Sequence, residues 1–182
     1  MVHGKNVKKK EERKEMKNEQ TQEPIRILLA DDDVDDRTFF VKALKEIPLD
    51  TQLIIVHDGE QLMKYLNENS ENLPGLLFLD LSMPRKTGFE CLAEIKENKW
   101  LKNLHVIVFT TSFGRGVEFE HNLKNTLSNI GAEEYIRKPS DPGQLKEIIH
   151  TAILKHIEKE RLSGKDKKSG QQTKPSHEAL PS

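Results

Sequence analysis

Carboxylates stand at the ends of two apolar segments of the chain. Asp80 follows the apolar run at residues 76–79, and Asp31 and Asp32 follow the segment at 25–30. Open α/β sheets bind their ligands outside the carboxyl ends of the strands, so these acids would meet if both segments are parallel strands. Carboxylates this close repel one another unless a hard cation or a lysine neutralises them. The pattern therefore indicates a divalent-cation site with an aspartate that could act as a nucleophile.

Two later apolar segments would bring a hydroxyl and an ammonium group to the same edge. Thr110 follows the segment at 104–109, and Lys138 follows the segment at 133–136. This set of groups suits phosphoryl transfer, because Mg²⁺ and Lys138 would neutralise the phosphoryl oxygens while Asp80 attacks in line. Thr110 could donate a hydrogen bond to the phosphoryl group once it is attached.

The elements that must position these residues follow the alternation of an α/β domain. Apolar runs predict strands at 25–30, 52–57, 76–80, 104–109 and 133–136, with helical spacing between them. Asp141, Pro142 and Gln144 predict the start of the last helix, and Asp58 and Gln61 predict the start of the second. Near-continuous apolar strands predict a parallel sheet with helices on both faces. The commonest arrangement of five such units is the flavodoxin-like order 2-1-3-4-5.

Composition predicts a central domain with polar ends. The chain has 182 residues and a formal net charge of −1, with the basic excess near its two ends. Residues 1–23 hold too few apolar groups to offset the entropy of ordering, so they predict a disordered, charged tail. We expect the domain at 24–160 and a flexible polar tail at 161–182.

The same composition excludes several classes of partner. An acidic central stretch does not suit nucleic-acid binding, which needs clustered Lys and Arg. No apolar stretch approaches the ~20 residues of a membrane span, and the N-terminus lacks the apolar region of a signal peptide. Cys91 is the only cysteine, which fits a reducing compartment. We expect a cytoplasmic protein that binds neither nucleic acid nor membranes.

The residues at the predicted strand ends resemble those of the receiver domain of two-component response regulators. The resemblance covers residues from about 25 to 154 and is carried by several short matches. These are Asp31-Asp32, Leu79-Asp80-Leu81-Ser82-Met83-Pro84, Gly88, Thr110 and Lys138-Pro139. The acidic run that begins at Asp31 and the run Met83-Pro84-Arg85-Lys86-Thr87-Gly88 look most like stand-alone, chemotaxis-receiver-like regulators, a group that includes phytochrome-associated receivers.

The resemblance implies a role for each matched residue. Asp80 would accept a phosphoryl group from a sensor histidine kinase or a histidine phosphotransfer protein. Asp32, Asp80 and the backbone carbonyl of Ser82 would bind Mg²⁺ directly, with Asp31 acting mainly through water. Lys138 would pair with a phosphoryl oxygen, and the Lys138–Pro139 peptide bond would be cis.

The resemblance also implies a means of output. A phosphoryl group on Asp80 would draw the Thr110 hydroxyl inward, so that the Tyr135 ring fills the vacated space and two conformations change in population. The signal would pass to a downstream protein partner or along a phosphorelay. A homodimer is compatible with the family, and the longer segment at 110–138 lies where receivers vary their output surface.

Two other functions remain open from the sequence. A receiver that is never phosphorylated could act as a docking module. The presence of all the site residues argues against this function, because docking modules can lose them freely; these residues are Asp31, Asp32, Asp80, Thr110 and Lys138. A Mg²⁺-dependent phosphotransferase or phosphatase would need a second catalytic acid two residues after Asp80, where this chain has Ser82.

Several further polar residues carry structural expectations. Asp33, Asp35 and Asp36 are expected to be helix-start acids favoured by the helix dipole. Five histidines lack the spacing of metal ligands to any Cys or acidic partner, so we expect them at the surface or rim. They are His57, His105, His121, His150 and His156. The run Gly114-Arg115-Gly116-Val117-Glu118-Phe119 lacks the third glycine of a dinucleotide-binding fingerprint and is expected to be a hinge-like loop.

Overall fold

In the part of the chain that the structure describes, five parallel strands form a central sheet. The computed structural model describes residues 23–111 and 116–169. Residues 1–22 and 170–182 of the predicted tails, and residues 112–115, which include the start of the predicted hinge-like loop, lie outside the described residues. The strands are β1 Ile25–Ala30, β2 Thr51–Val56, β3 Leu76–Leu79, β4 His105–Thr110 and β5 Glu134–Arg137. Their order in the sheet is β2-β1-β3-β4-β5, all parallel, which confirms the predicted flavodoxin-like topology.

Within the described residues, five helices cover the two faces of this sheet. They are α1 Val34–Lys45, α2 Gly59–Glu68, α3 Gly88–Glu97, α4 Val117–Ile130 and α5 Pro142–Ser169. The buried residues of α2, α3 and α4 pack in one cluster, and those of α1 and α5 pack in the other. Successive residues of β3 point to opposite faces, so Leu77 and Leu79 join the first cluster while Leu76 and Phe78 join the second. The two-sided burial explains why the strand reads as a continuous apolar run.

Side-chain caps fix where the helices begin. Asp33 accepts hydrogen bonds from the main-chain N–H groups of Asp35 and Asp36 at 2.8 and 2.9 Å. Asp58 accepts from the Gln61 N–H, as predicted, and Thr87 forms a capping box with Glu90 at the start of α3. Each cap satisfies N–H groups that have no partner inside the helix. The caps hold the loops that follow β1, β2 and β3 in fixed conformations.

The last helix is longer than expected. Asp141 accepts a hydrogen bond from the Gln144 N–H at 2.8 Å, which confirms the predicted start. The helix then continues to Ser169, beyond the predicted end of the domain at residue 160, and the flexibility of the tail stays a prediction. Arg161 contacts Glu158 at 3.3 Å, and Ser163 donates to the Lys159 carbonyl at 2.8 Å. These local contacts support a helix that polar composition alone did not reveal.

The bounds of the strands agree with those predicted from the sequence to within one residue. Helices that could cross a membrane are absent from residues 23–111 and 116–169, because none is both long and apolar enough.

Gly88 lies directly against the main chain of Asp80, and this contact is testable. A Cβ on Gly88 would overlap the Asp80 carbonyl oxygen and lie 2.8 Å from Leu81 Cα. We expect Gly88→Ala to lower the free energy of unfolding by about 1–3 kcal/mol, since backbone cannot move aside cheaply. Urea denaturation measures the change. Gly143→Ala is the control, because its Cβ would meet only a side-chain oxygen of Asp141 at 3.1 Å. Equal losses in both variants would contradict the assignment of Gly88 as a packing constraint.

Candidate functional site

The register of the sheet sets Asp31 and Asp80 side by side. Ala30 pairs with Leu79 across β1 and β3, so the two aspartates are the next residues on neighbouring strands. The Asp80 N–H donates to the Ala30 carbonyl at 2.9 Å, and the Asp31 N–H donates to the Val56 carbonyl at 3.1 Å. These main-chain bonds extend the sheet by one residue and fix the direction of both side chains.

Three carboxylates converge at this edge, as the sequence predicted. Asp31, Asp32 and Asp80 each offer an oxygen within 4.8 Å of the others. Asp31 and Asp80 are buried, whereas Asp32 is exposed. The Asp80 Oδ2 atom accepts a long hydrogen bond of 3.3 Å from the Ser82 N–H. The Asp80 Oδ1 atom is buried and has no hydrogen-bond partner among the described residues.

Lys138 reaches the carboxylates from the end of β5. Its Nζ atom lies 2.8 Å from Asp31 Oδ2, 2.8 Å from Asp36 Oδ2 and 3.7 Å from Asp80 Oδ1. Only 7% of the Lys138 side chain is exposed. A main-chain bond of 2.9 Å from the Lys138 N–H to the Thr110 carbonyl ties this residue to the end of β4. The lysine therefore bridges two acids and leaves the third within reach.

Burial and charge act in opposite directions on the ionisable groups. Burial raises the pKa of Asp31 to about 6, although the Lys138 ammonium and the Asp33 N–H oppose the shift. Burial works against the charged form of Lys138, but its hydrogen bonds to Asp31 and Asp36 outweigh this effect and raise its pKa. The ammonium therefore keeps its charge, and the acids around it remain under-neutralised.

The predicted cis peptide bond is wrong. The structure has the Lys138–Pro139 bond in the trans form. Trans is the lower-energy isomer of an X–Pro bond by about 0.5–1 kcal/mol. With that isomer the Lys138 ammonium already reaches two carboxylates at 2.8 Å, so its ion pairs do not require the cis form.

Three further predicted residues lie around the carboxylates. Thr110 is fully buried at the end of β4, and its hydroxyl donates to the Thr111 carbonyl at 3.3 Å. Ser82 is exposed on the loop after β3, and the role of its carbonyl as a metal ligand stays a prediction. Tyr135 is half-buried on β5 against the core, and within the described residues its buried hydroxyl has no hydrogen-bond partner. The switching roles of Thr110 and Tyr135 also stay predictions.

Sequence reasoning missed two residues that support the site. Asp36 was expected only to stabilise the helix start, yet its carboxylate bonds to Lys138. It lies one helical turn after the cap Asp33, and that spacing was the available signal. Arg37 donates to the Asp31 carbonyl at 2.8 Å and braces the strand end. The Arg37 side chain is long enough to reach several acceptors, so the sequence did not predict which one it contacts.

A second ion pair holds the loop that follows Asp80. Arg85 has a positive φ of 66° and contacts the buried carboxylate of Asp58, which also caps α2. Asp58 thus joins the end of β2 to the loop between β3 and α3. The sequence predicted the cap but not this contact, because the two residues are far apart in the chain.

The donor set of the site fits a hard divalent cation. Carboxylate oxygens are the ligands that such cations prefer. Asp31, Asp32 and Asp80 supply three of them, and one of the Asp80 oxygens is buried without a donor among the described residues. Lys138 alone cannot neutralise this charge, so a cation would relieve a cost that the folded protein otherwise carries.

The fold and the site together define a doubly wound α/β domain with an acid and lysine cluster at its carboxyl edge. The chain matches the family described as the response regulator receiver domain over residues 27–150, and it belongs to that family. It is 39% identical over 99 residues to the response regulator Rcp1 of Synechocystis, covering 52% of this chain and 67% of Rcp1. It is 34% identical over 130 residues to the transcriptional regulatory protein CpxR of Escherichia coli K12, covering 71% of this chain and 49% of CpxR.

Solved structures of response regulators are also similar to this chain. The Mn²⁺-bound form of Rcp1 is 32% identical with a TM-score of 0.60, covering 70% of this chain and 91% of that chain. The phosphorylated cyanobacterial phytochrome response regulator RcpA is 30% identical with a TM-score of 0.61, covering 71% and 91%. The chain spans 8% of the hybrid signal transduction histidine kinase I of Dictyostelium discoideum, so some relatives are much longer proteins.

The burial of Asp31 predicts how the metal-free protein responds to pH. The folded state holds this proton more tightly than the unfolded chain, since the pKa rises from 3.8 to about 6. Ionisation of Asp31 therefore lowers stability progressively between those values, and the full cost is present above about pH 6. In EDTA at about pH 7.5 we expect Asp31→Asn to raise the free energy of unfolding by about 1–3 kcal/mol. The gain should shrink as the pH falls from about 6 towards 4.

Asp33→Asn is the matched control for this experiment. The main-chain N–H groups of Asp36 and Asp35 lower the pKa of Asp33, so its loss should not stabilise the protein. Denaturant unfolding at several pH values measures both variants. An Asp31→Asn protein that is less stable than the wild type in EDTA at about pH 7.5 would overturn the argument.

Proposed function

We propose that this protein accepts a phosphoryl group on Asp80 from a phosphorylated histidine of a sensor kinase or histidine phosphotransfer protein. The observation that carries the proposal is the state of the Asp80 Oδ1 atom. It is buried without a hydrogen bond from the described residues, while Lys138 Nζ stands 3.7 Å away. A carboxylate oxygen that accepts no hydrogen bond keeps its nucleophilicity. A nearby ammonium can neutralise the negative charge of the incoming phosphoryl group.

The chemical step needs little more than positioning. The Asp80 oxygen forms the new bond to phosphorus, the bond from phosphorus to the donor histidine breaks, and the histidine nitrogen keeps the electron pair and is reprotonated. Bound Mg²⁺ would supply charge neutralisation at the phosphoryl oxygens. Asp32, Asp80 and the Ser82 carbonyl would hold it directly, and Asp31 mainly through water.

Lys138 would change partners during the reaction. Its ammonium contacts Asp31 and Asp36 at 2.8 Å, and a phosphoryl group on Asp80 offers a more highly charged acceptor. Metal binding through Asp31 and Asp32 would compete with Lys138 for the Asp31 carboxylate and free the lysine to turn towards residue 80. Asp36, on the rim of the site, would keep part of the lysine charge compensated.

The signal would leave through β4 and β5. The Lys138 N–H to Thr110 carbonyl bond joins the ends of these strands, and Val108 pairs with Tyr135 in the same ladder. Movement of Thr110 towards the phosphoryl group would therefore alter the surroundings of Tyr135. A bias of ~1–3 kcal/mol between two conformations would suffice to change the affinity for a protein partner.

Phosphorylation is tested by mass. We expect acetyl phosphate and Mg²⁺ to add one phosphoryl group to the intact protein, and we expect Asp80→Asn to abolish the adduct because no nucleophile remains. Asp35→Asn removes an exposed acid in the first turn of α1 and is the control that should retain the adduct. Intact mass spectrometry reports all three proteins.

If the wild-type protein stays unmodified with acetyl phosphate and with every sensor kinase tried, that result would instead support a docking module. Turnover of free phosphoesters would support a phosphatase. Either result contradicts the proposal.

The switch is tested by a phosphoryl analogue. Addition of beryllium fluoride and Mg²⁺ should shift the amide NMR signals of Thr110, Tyr135 and Lys138, because the analogue draws the hydroxyl and the ammonium towards Asp80. The same addition to Asp80→Asn should leave these signals in place. If they do not move in the wild type while the signals of Asp80 and its neighbours do, the output path through β4 and β5 is wrong.

A further inference from the structure

Asp36 is an acid of the site that stands apart from the other carboxylates. It lies in the first turn of α1, and its main-chain N–H donates to the Asp33 carboxylate at 2.9 Å. Its side chain is 31% exposed, so it lies at the rim. Among the described residues, Asp36 is outside the set of carboxylates close enough to share one metal ion, which is Asp31, Asp32 and Asp80. Metal binding therefore does not explain its position.

The contact that explains the position of Asp36 is with Lys138. The Lys138 Nζ and Asp36 Oδ2 atoms are 2.8 Å apart, which is the length of a charge-assisted hydrogen bond. An ammonium has three N–H groups, and Asp31 accepts from a second one at 2.8 Å. Asp80 Oδ1 is 3.7 Å away, too far to accept a hydrogen bond from the ammonium. The two short bonds therefore hold the ammonium back from Asp80.

The burial of Lys138 makes its choice of partner a competition between acids. Only 7% of its side chain is exposed, and the ammonium lies 5.7 Å from the centroid of the apolar Phe109 ring. An acid that releases this ammonium is not replaced by bulk water, and a buried charge without a partner is costly. The ammonium is therefore shared among Asp31, Asp36 and whatever group stands on Asp80.

Metal binding would narrow this competition. Asp31 belongs to the metal set, so a bound Mg²⁺ would weaken its bond to Lys138. Asp36 would then be the main acid that holds the ammonium away from residue 80. A neutral side chain at position 36 would leave the ammonium free to pair with the anionic group on Asp80.

We propose that Asp36 is a positioning residue that competes with the phosphoryl group on Asp80 for the Lys138 ammonium. The inference rests on the proposed phosphorylation of Asp80 and adds a regulation of the same site. While Asp36 keeps a share of the lysine, the site holds the phosphoryl group less tightly than it would with a neutral residue at position 36. One hydrogen bond at the rim thus sets how firmly the phosphorylated state is held.

The test measures the affinity of the full chain for beryllium fluoride in saturating Mg²⁺, from the amide NMR signals of Asp80 and its neighbours. We expect Asp36→Asn to bind the analogue about three- to tenfold more tightly, because it removes a partly exposed, charge-assisted competitor for the lysine. Asp36→Glu keeps a carboxylate that can reach the ammonium and should bind the analogue as the wild type does. Damage to the fold would weaken binding, so a purely structural role of Asp36 does not produce a gain.

Asp35→Asn is the matched control. It removes the same charge from the same turn of α1, and Asp35 is exposed. In the described part of the chain the ion pairs of Lys138 are with Asp31, Asp36 and Asp80. Equal affinity in the wild type and Asp36→Asn, weaker binding in Asp36→Asn, or an equal gain in Asp35→Asn would overturn the proposal.

Lys138→Met separates competition for the lysine from simple charge repulsion. In this background Asp36→Asn should change the affinity by less than about twofold, since no ammonium remains to be released. A gain as large as that in the wild-type background would show repulsion alone and overturn the proposal.

The same experiments separate this inference from the proposed function. If no protein of the series binds the analogue and acetyl phosphate adds no phosphoryl group, the proposed function is wrong and this inference with it. If the wild type binds the analogue and is phosphorylated but the affinities do not follow the expected order, only this inference is wrong.

Discussion

The constraint on which the rest of the structure depends is the cost of gathering carboxylates out of water. Asp31 and Asp80 are 1% and 5% exposed, and Asp32 lies beside them. Lys138 is the main compensation, and it is itself only 7% exposed. Such a cluster contributes little to stability, because desolvation of the charges offsets most of their attraction. The proposed phosphoryl chemistry, rather than stability, therefore gives a physical reason for the cluster.

The fold supplies this arrangement through the edge of a parallel sheet. Strand register brings residues from distant parts of the chain together, and the apolar layers on both faces hold that register. Beneath the site the rings of Phe40, Phe78 and Phe109 meet edge to face, with centroids 4.9 to 6.0 Å apart. Lys138 Nζ lies 5.7 Å from the Phe109 ring centroid, so the ammonium rests on this cluster. A rigid base fixes the charged groups above it.

The two edges of the sheet present different polar groups. The carboxyl edge presents oxygen ligands from Asp31, Asp32 and Asp80, which favour hard cations. The amino edge presents His105 and His156, whose Nδ1 atoms lie 3.4 Å apart. The expectation that both histidines lie at the surface or rim is wrong for His156, which is only 9% exposed. Strand β4 joins the edges, since it begins at His105 and ends at Thr110. Helix α5 also joins them, because it starts just after Lys138 and carries His156 to the other end.

The sequence by itself determined the parallel sheet, its order, the helix caps at Asp58 and Asp141, and the meeting of Asp31, Asp32 and Asp80 at one edge. Those features are local or follow from topology, because apolar runs fix the strands and the residues after them must share an edge. Only the tertiary structure decided the partnership of Lys138 with Asp36, the trans Lys138–Pro139 bond and the pairing of Arg85 with Asp58. It alone also brought His105 to His156. These outcomes depend on side-chain directions between distant segments, and no local pattern encodes those directions.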